Sequence, residues 1–253
     1  MSPPSLSIVF PAYNEEERVG QLLDGLRAVV AAGLPGLALL EAVIVDDGSL
    51  DATAARVSAA LPAAPWITLV SDGTPNQGKG AATARGVAAA RGELVLLADV
   101  DLATPLGEVA KLHAALGRGV DLAIGSRDVP GSVVTGASFH RKLMGRVFNL
   151  GVRRVTGLGF RDTQCGFKLM PVAVGRRLLA EQSVCGYAFD VEMLLRARAL
   201  GLRVEEVPIR WEHRPGSKLN PLPAALAMSR DVLRLARAAP RPDRDLAHEP
   251  CGR

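Results

Sequence analysis

Along the first half of the chain, short runs with a largely apolar centre alternate with longer runs whose apolar residues recur every three or four positions. The short runs are "LSIVFPA", "EAVIVDD", "ITLVSD", "ELVLLADVD" and "DLAIGSR". Being apolar on both faces, they predict strands covered on both sides. The periodic runs predict helices over residues 15–32, 51–60, 80–90 and 106–116. Strands alternating with helices in this way imply an α/β fold with a mainly parallel central sheet flanked by helices. Asn14 is placed to cap the first helix with Glu17 as its reciprocal partner, and Glu15 and Glu16 favour the positive end of the helix dipole.

In such sheets ligands bind beyond the carboxyl ends of the strands. The polar stretches "PAYNEEE", "DDGSLD", "SDGTPNQGKG", "DVDLATP" and "GSRDVPG" all fall there, so five loops on one edge predict a site. After about Ser132 the alternation breaks. A basic helix is predicted over 138–156, followed by "DTQCGFKLM", a helix over 188–201, one strand in "LRVEEVPIRWEH" and a last helix over Pro221–Ala238. The expected organisation is one domain over 1–238, with a first half (6–131) and a second half (132–238). A polar tail over 239–253 is predicted to be disordered.

Composition narrows the class. The chain has 253 residues, of which 48% are hydrophobic, enough for a substantial core. Cys165, Cys185 and Cys251 form no close pair, which argues against a zinc site or a disulfide framework and fits a reducing compartment. No basic-then-apolar leader opens the sequence, and the uncharged runs 28–40 and 57–71 are short and interrupted by Gly or Pro. A cytoplasmic protein, soluble or peripherally associated with the inner face of a membrane, is expected. Net charge is only +4, yet Arg141, Lys142, Arg146, Arg153 and Arg154 cluster between Ala137 and Phe160 with no acid among them. Such a block faces anionic lipid, nucleic acid or a phosphorylated substrate.

One stretch raises a specific question. In "LLADVDLATP" an apolar run leads into Asp99 and Asp101, and residues two apart in a strand point the same way. The two carboxylates are then expected side by side at the strand's mouth, each opposing the other's ionisation. Either a divalent cation relieves that repulsion or both aspartates cap the turns that follow. "NQGKG" opens a helix with glycines that let backbone N–H groups approach phosphate. No stretch matches GxGxxG or GxxxxGK[ST], which disfavours a dinucleotide fold or a P-loop NTPase.

Together "SIVFPAYNEEE", "VIVDDGSLDAT", "NQGKGAATARGVAAARGE", "LLADVDLATP", "AIGSR", "DTQCGFKLM", "YAFDVEML" and "VPIRWEHRPGSK" resemble the inverting family 2 glycosyltransferases of GT-A fold. The resemblance spans about Ser7 to Ser229 and is nearest to the polyprenyl-phosphate glycosyltransferases that make dolichyl-phosphate glucose or dolichyl-phosphate mannose. It implies a nucleotide-sugar donor, UDP-glucose or GDP-mannose, a polyprenyl phosphate acceptor, Mg²⁺ or Mn²⁺, and no nucleic-acid partner. By position, it implies that Pro11, Tyr13 and Glu15 surround the nucleobase and ribose, that Asp46 and Asp47 read the base, and that Gly78, Lys79 and Gly80 form a donor-side loop. Asp99 would reach the nucleoside and Asp101 would grip the metal. The chain departs from the mannose branch at Ala103, where a further metal ligand often stands.

A phosphate monoester acceptor, with its second pKa at about 6, is already largely dianionic at neutral pH and needs cations more than a base. The resemblance supplies them as Arg127, Arg141, Arg214 and Lys218, while Asp162 either orients these cations or acts as base toward a hydroxyl acceptor. In the basic helix, Phe139, Leu143, Val147 and Leu150 recur at helical spacing beside Arg141, Lys142 and Arg146. That amphipathic face either enters a headgroup boundary or packs on the sheet. A transferase acting on a hydroxyl, and a non-catalytic nucleotide-sugar-binding module, are the alternatives to transfer onto a lipid phosphate.

Overall fold

The computed structural model of the protein describes residues 2–214 and 221–238. Strands β1 (Ser5–Ala12), β2 (Ala38–Asp46), β3 (Ile67–Val70), β4 (Leu94–Leu97) and β5 (Leu122–Ser126) form on the apolar runs, β1 starting one residue and β2 three residues before the predicted stretch. Helices α1 (Glu16–Ala32), α2 (Thr53–Ala60), α3 (Lys79–Ala89) and α4 (Val109–Leu116) connect them, α4 being preceded by a 3₁₀ turn at Leu106–Glu108. The second half adds β6 (Val133–Thr135), α5 (Phe139–Thr156), β7 (Lys168–Pro171), α6 (Val172–Leu179), α7 (Phe189–Ala199), β8 (Val204–Pro208), β9 (Arg210–Glu212) and α8 (Pro221–Ala238).

Seven strands make one sheet in the order β3-β2-β1-β4-β7-β5-β8, and all neighbours are parallel except β7, which runs antiparallel between β4 and β5. Alternation along β1 divides the core. Leu6, Ile8 and Phe10 pack with Val19, Leu22 and Leu26 of α1, whereas Val9 packs with Ala82 and Val87 of α3. Both faces are therefore dry, as the uniformly apolar strands require. Even the polar exception is satisfied. Glu41, fully buried in β2, accepts hydrogen bonds from Ser7 Oγ at 2.8 Å and from the Arg91 amide at 2.7 Å. Burial alone would raise its pKa, but these bonds and those from the Arg91 side chain and Thr68 more than offset it, holding it below the ordinary value.

Three local expectations are corrected. Asn14 does not cap α1: its backbone takes a left-handed φ of 54°, and its side-chain oxygen accepts the Leu50 amide at 2.8 Å. Glu15 precedes the helix instead, and Glu16 reaches across to the Ala52 amide. The single strand in "LRVEEVPIRWEH" is two, because Pro208 has no N–H to extend the ladder, and the chain crosses to pair β9 with β6 in a separate two-stranded sheet. Finally, β7 sits where only a motif was expected. It opens on Lys168, whose side chain is 1% exposed, and a lysine inside a central strand runs against any apolar pattern.

Candidate active site

At the carboxyl ends of β1, β2 and β4 the loops enclose a cavity of about 620 Å³, a size suited to a small-molecule ligand. Pro11, Tyr13 and Glu15 line it from the end of β1, Asp47 from the end of β2, and Gly78 and Lys79 from the start of α3. Asp99 and Asp101 complete that wall. The predicted residues Asp46, Gly80, Arg127, Asp162 and Arg214 stand outside the lining. Lys218 and the side chain of Arg141 lie outside the described residues.

The two aspartates are not at the end of a strand as expected. β4 stops at Leu97, so both lie on the turn beyond it, where Leu102 takes a left-handed φ of 50° and the Ala103 amide donates to Asp101 Oδ1 at 3.0 Å. Their environments differ sharply. Lys79 Nζ donates to Asp99 Oδ1 at 2.6 Å. Although burial alone would raise the Asp99 pKa, that ammonium, helped by Lys168 and Arg127, holds it below the ordinary carboxylate range. For Asp101, burial and then the Asp99 charge push the pKa up. So a side chain of the protein itself holds Asp99, and Asp101 is the carboxylate left wanting a cation. Among the described residues no cluster of three or more His, Cys, Asp or Glu is arranged around a metal position. The hard oxygens of Asp101 and Asp99 therefore fit Mg²⁺ or Mn²⁺ only where water and ligand phosphates complete the shell, which is how Mg²⁺ is usually held.

The Asp99 carboxylate lies directly against a glycine. A Cβ at Gly166 would come within 2.6 Å of Asp99 Oδ2 and 2.9 Å of Oδ1. Gly166→Ala is expected to displace the carboxylate by a fraction of an ångström. kcat/KM should fall about 10–100-fold, since a misplacement near 1 Å can cost about 10², with the thermal midpoint nearly unchanged. Parent-like kinetics would show that the Asp99 position is not critical.

The loop before α3 is built differently from a phosphate cradle. Asp47 accepts the Gly78 amide at 2.7 Å, the Gln77 amide at 3.2 Å, Asn76 Nδ2 at 2.9 Å and Arg85 Nη2 at 2.8 Å. The amides of Gly80 and Ala81 both donate to the Cys185 carbonyl. The amides of Gln77, Gly78, Gly80 and Ala81 are thus taken by the protein, and this turn presents Asn76, Gly78 and the Lys79 side chain to the cavity. The glycines serve close approach: Gly78 has φ 106°, and a Cβ there would lie 2.6 Å from the Cys185 oxygen. Asp46 accepts the Ser49 amide at 3.3 Å and Ser71 Oγ at 3.3 Å. Both aspartates of "VDDGS" therefore hold loops in place.

Beyond the cavity, Arg127 and Asp162 form a two-pronged pair. Arg127 Nε donates to Asp162 Oδ2 at 2.7 Å, Nη2 to Oδ1 at 2.9 Å, and the Arg127 amide to Oδ2 at 3.0 Å. Burial would raise the Asp162 pKa, but the guanidinium outweighs it and keeps the carboxylate below its ordinary range. Arg127 also lies 5.7 Å from the Trp211 ring centroid, a cation–π distance. Arg214 pairs with Glu212 at 3.1 Å. Cys165 is buried beside this pair, and burial and the Asp162 charge push its thiol up to about 12, so it is inert as a nucleophile.

Sequence reasoning missed the loop before α7. Tyr187 lines the cavity as Tyr13 does, and both residues are over 40% exposed. Glu192 pins the loop by accepting the amides of Ser183 and Val184 at 2.9 and 2.8 Å. The signal was present in "YAFDVEML", whose acids fall on a helix with no polar face.

A doubly covered α/β sheet with paired aspartates at the edge of its fourth strand defines the GT-A glycosyltransferase class. Residues 7–182 match the model for glycosyl transferase family 2. The chain belongs to that family. It is 38% identical over 241 residues to the dolichyl-phosphate beta-glucosyltransferase of Drosophila melanogaster, covering 90% of this chain and 73% of the relative. Its identity to the Homo sapiens protein of the same description is 33% over 243 residues, with 90% and 74% covered. Among solved structures, a mycobacterial protein superposes with a TM-score of 0.66 at 26% identity, covering 95% of this chain and 76% of that one. Glucosyl-3-phosphoglycerate synthase from Mycobacterium tuberculosis, solved with Mn²⁺ and uridine-diphosphate-glucose, shares the fold at 20% identity and a TM-score of 0.62, covering 94% and 80%.

Proposed function

We propose that this glycosyltransferase moves glucose from UDP-glucose onto a polyprenyl phosphate such as dolichyl phosphate, with inversion at the anomeric carbon. The observation that carries this reading is the occupation of Asp162: both of its oxygens are bound by Arg127, which suits a group that orients a cation and unsuits a base. A phosphate acceptor needs no base, because its dianion already carries the attacking oxygen. That oxygen bonds to the anomeric carbon as the bond from the carbon to the diphosphate breaks, and UDP departs with the electron pair. The two relatives described as dolichyl-phosphate beta-glucosyltransferases support the choice of sugar and acceptor.

On this reading residues implied by the resemblance take roles, and Tyr187 joins them. Tyr13 and Tyr187 offer ring faces to the nucleoside, and Glu15 and Asp99 offer oxygens to its hydroxyls. Lys79 neutralises the diphosphate from the side of α3. Asp101, with Asp99 adjoining, would hold Mg²⁺ or Mn²⁺, and a cation bound there would lower the charge of the departing diphosphate. Arg127, Arg141, Arg214 and Lys218 would hold the acceptor phosphate.

The acceptor's lipid tail points to a membrane surface. Among the described residues no helix is long and apolar enough to cross a bilayer. On α5, however, Leu143, Met144, Val147 and Leu150 are 49–62% exposed, while Val152 is buried against the domain. We place this face at the cytoplasmic headgroup boundary, with its basic residues toward anionic lipid. Lys142→Glu with Arg146→Glu should weaken binding to anionic vesicles about tenfold or more, each basic residue near such a surface being worth about 1 kcal/mol. Equal vesicle binding would assign α5 to the protein's own surface.

The reaction itself is tested by supplying UDP-glucose, GDP-mannose, Mg²⁺ and a short polyprenyl phosphate, then identifying the product by mass. A glucosyl phosphate of the lipid is expected. Efficient transfer to the matched polyprenol instead would overturn the phosphate acceptor.

A further inference from the structure

Beneath the donor pocket lies a pair of opposite charges with no part in the roles above. Lys168 opens β7 and Asp190 stands in the first turn of α7, with side chains 1% and 4% exposed. The Lys168 ammonium donates to the Asp190 carboxylate and to the Cys165 carbonyl. A buried ion pair is a poor device for stability alone, because apolar residues of similar volume often serve as well or better. Its location points elsewhere. The first turn of α3 is pressed against that of α7: a Cβ at Gly80 would lie 2.7 Å from Phe189 Cβ, and the Gly80 amide donates to the Cys185 carbonyl at 2.7 Å. Lys79, on this turn, is held by Asp99 at 2.6 Å and is also acted on by the charge of Asp190. Charges therefore alternate along the row Lys168, Asp190, Lys79, Asp99.

We propose that Asp190 and Lys168 are positioning residues for the donor: Asp190 draws the Lys79 ammonium toward it while Asp99 gives it up to the arriving nucleotide sugar, and Lys168, by donating to Asp190, fixes that carboxylate in its dry setting. The inference rests on the donor reading above. With Asp99 as its sole carboxylate, Lys79 would be locked to it in direct competition with the nucleotide. A second carboxylate whose charge reaches the ammonium lets the first be exchanged without leaving the lysine uncompensated. This also accounts for a lysine at the head of a central strand. Among the described residues Asp190 is the one side chain to which the Lys168 ammonium donates a hydrogen bond, while Asp99 and Asp162 also feel its charge.

The test is a double replacement, Lys168→Met with Asp190→Leu, which removes both charges at similar volume and is expected to fold. Calorimetry with whichever of UDP and GDP the parent binds, in Mn²⁺, should show affinity lowered about tenfold or more, the scale of one charge-assisted contact. KM for the corresponding sugar nucleotide should rise in step, with kcat changed much less. Asp190→Asn should shift affinity the same way, and Asp190→Glu should restore part of it. In a Lys79→Met background the double replacement should add nothing further, an outcome that a merely structural pair would not produce. A folded double variant, or Asp190→Asn, with parental affinity and KM would overturn the inference alone. A parent that binds neither nucleotide would overturn the donor reading and this inference with it.

Discussion

Asp101→Asn is expected to lower kcat/KM about a thousandfold while leaving the thermal midpoint at neutral pH unchanged or slightly raised. The activity loss follows from removing the carboxylate that would hold the divalent cation, a contribution of several kcal/mol to charge stabilisation, at about 1.4 kcal/mol per tenfold. The stability sign follows from the raised pKa. A carboxyl whose folded pKa lies above its ordinary 3.8 favours the fold in its protonated form. That contribution is present below 3.8 and lost as pH rises through the folded value, so at neutral pH the ionised Asp101 is a burden on the fold. Asn removes the burden at nearly constant volume. A variant with parental kcat/KM in Mg²⁺ and unchanged metal affinity by titration would exclude Asp101 as a ligand. One that loses activity and midpoint together would make it a structural residue.

The second large effect separates Arg127 from Asp162. Arg127→Ala removes a cation from the acceptor side and strands the Asp162 carboxylate, which is 6% exposed, without its partner. Breaking a buried pair this way costs about 3–5 kcal/mol, or about 6–20 °C in midpoint at this chain length. kcat/KM with a polyprenyl phosphate should fall about a hundredfold or more even in the folded fraction, since bonds from a guanidinium to a dianion are about twice as strong as neutral ones. Asp162→Asn should be far milder. The amide oxygen still accepts from Arg127 and no proton transfer is lost, so measurable turnover remains. Were Asp162 the base for a hydroxyl acceptor, its replacement would cost about 10²–10⁴ and Arg127→Ala would be the gentler change. Steady-state kinetics on both variants with a polyprenyl phosphate and the matched alcohol decide the order.

Much of this architecture was legible because it rests on uninterrupted apolar runs. β1, β2, β4 and β5 form on stretches whose length and apolar character read as covered strands, and the polar loops between them gather on one edge. The residues lining the cavity were legible for the same reason: Tyr13, Lys79, Asp99 and Asp101 all follow such runs or open the next helix. What stayed hidden depended on partners distant in sequence. Asn14 looks like a cap until the Leu50 amide is placed beside it, and Asp47 looks free to meet a base until Asn76, Gly78 and Arg85 claim it. Lys168 goes unremarked inside "DTQCGFKLM" because nothing local shows that Asp190, 22 residues later, will pair with it. Charges in the sequence were easy to find. Which of them were already spent was not.

The antiparallel strand β7 carries a consequence for how the protein is made. β4 and β5 do not pair with each other, and the seam between them is filled by residues 168–171. A growing chain therefore completes six strands and five helices while the centre of its main sheet stays open, with two unsatisfied backbone edges facing one another. Only when β7 has emerged, well after the basic helix α5, does the gap close. Until then the nascent protein exposes both an open seam and an apolar amphipathic helix, the combination that invites chaperones and aggregation. The closure that protects the chain also brings Gly166 under Asp99, while the cavity wall at Gly186 and Tyr187 and the partner of Lys168, Asp190, are added only afterwards.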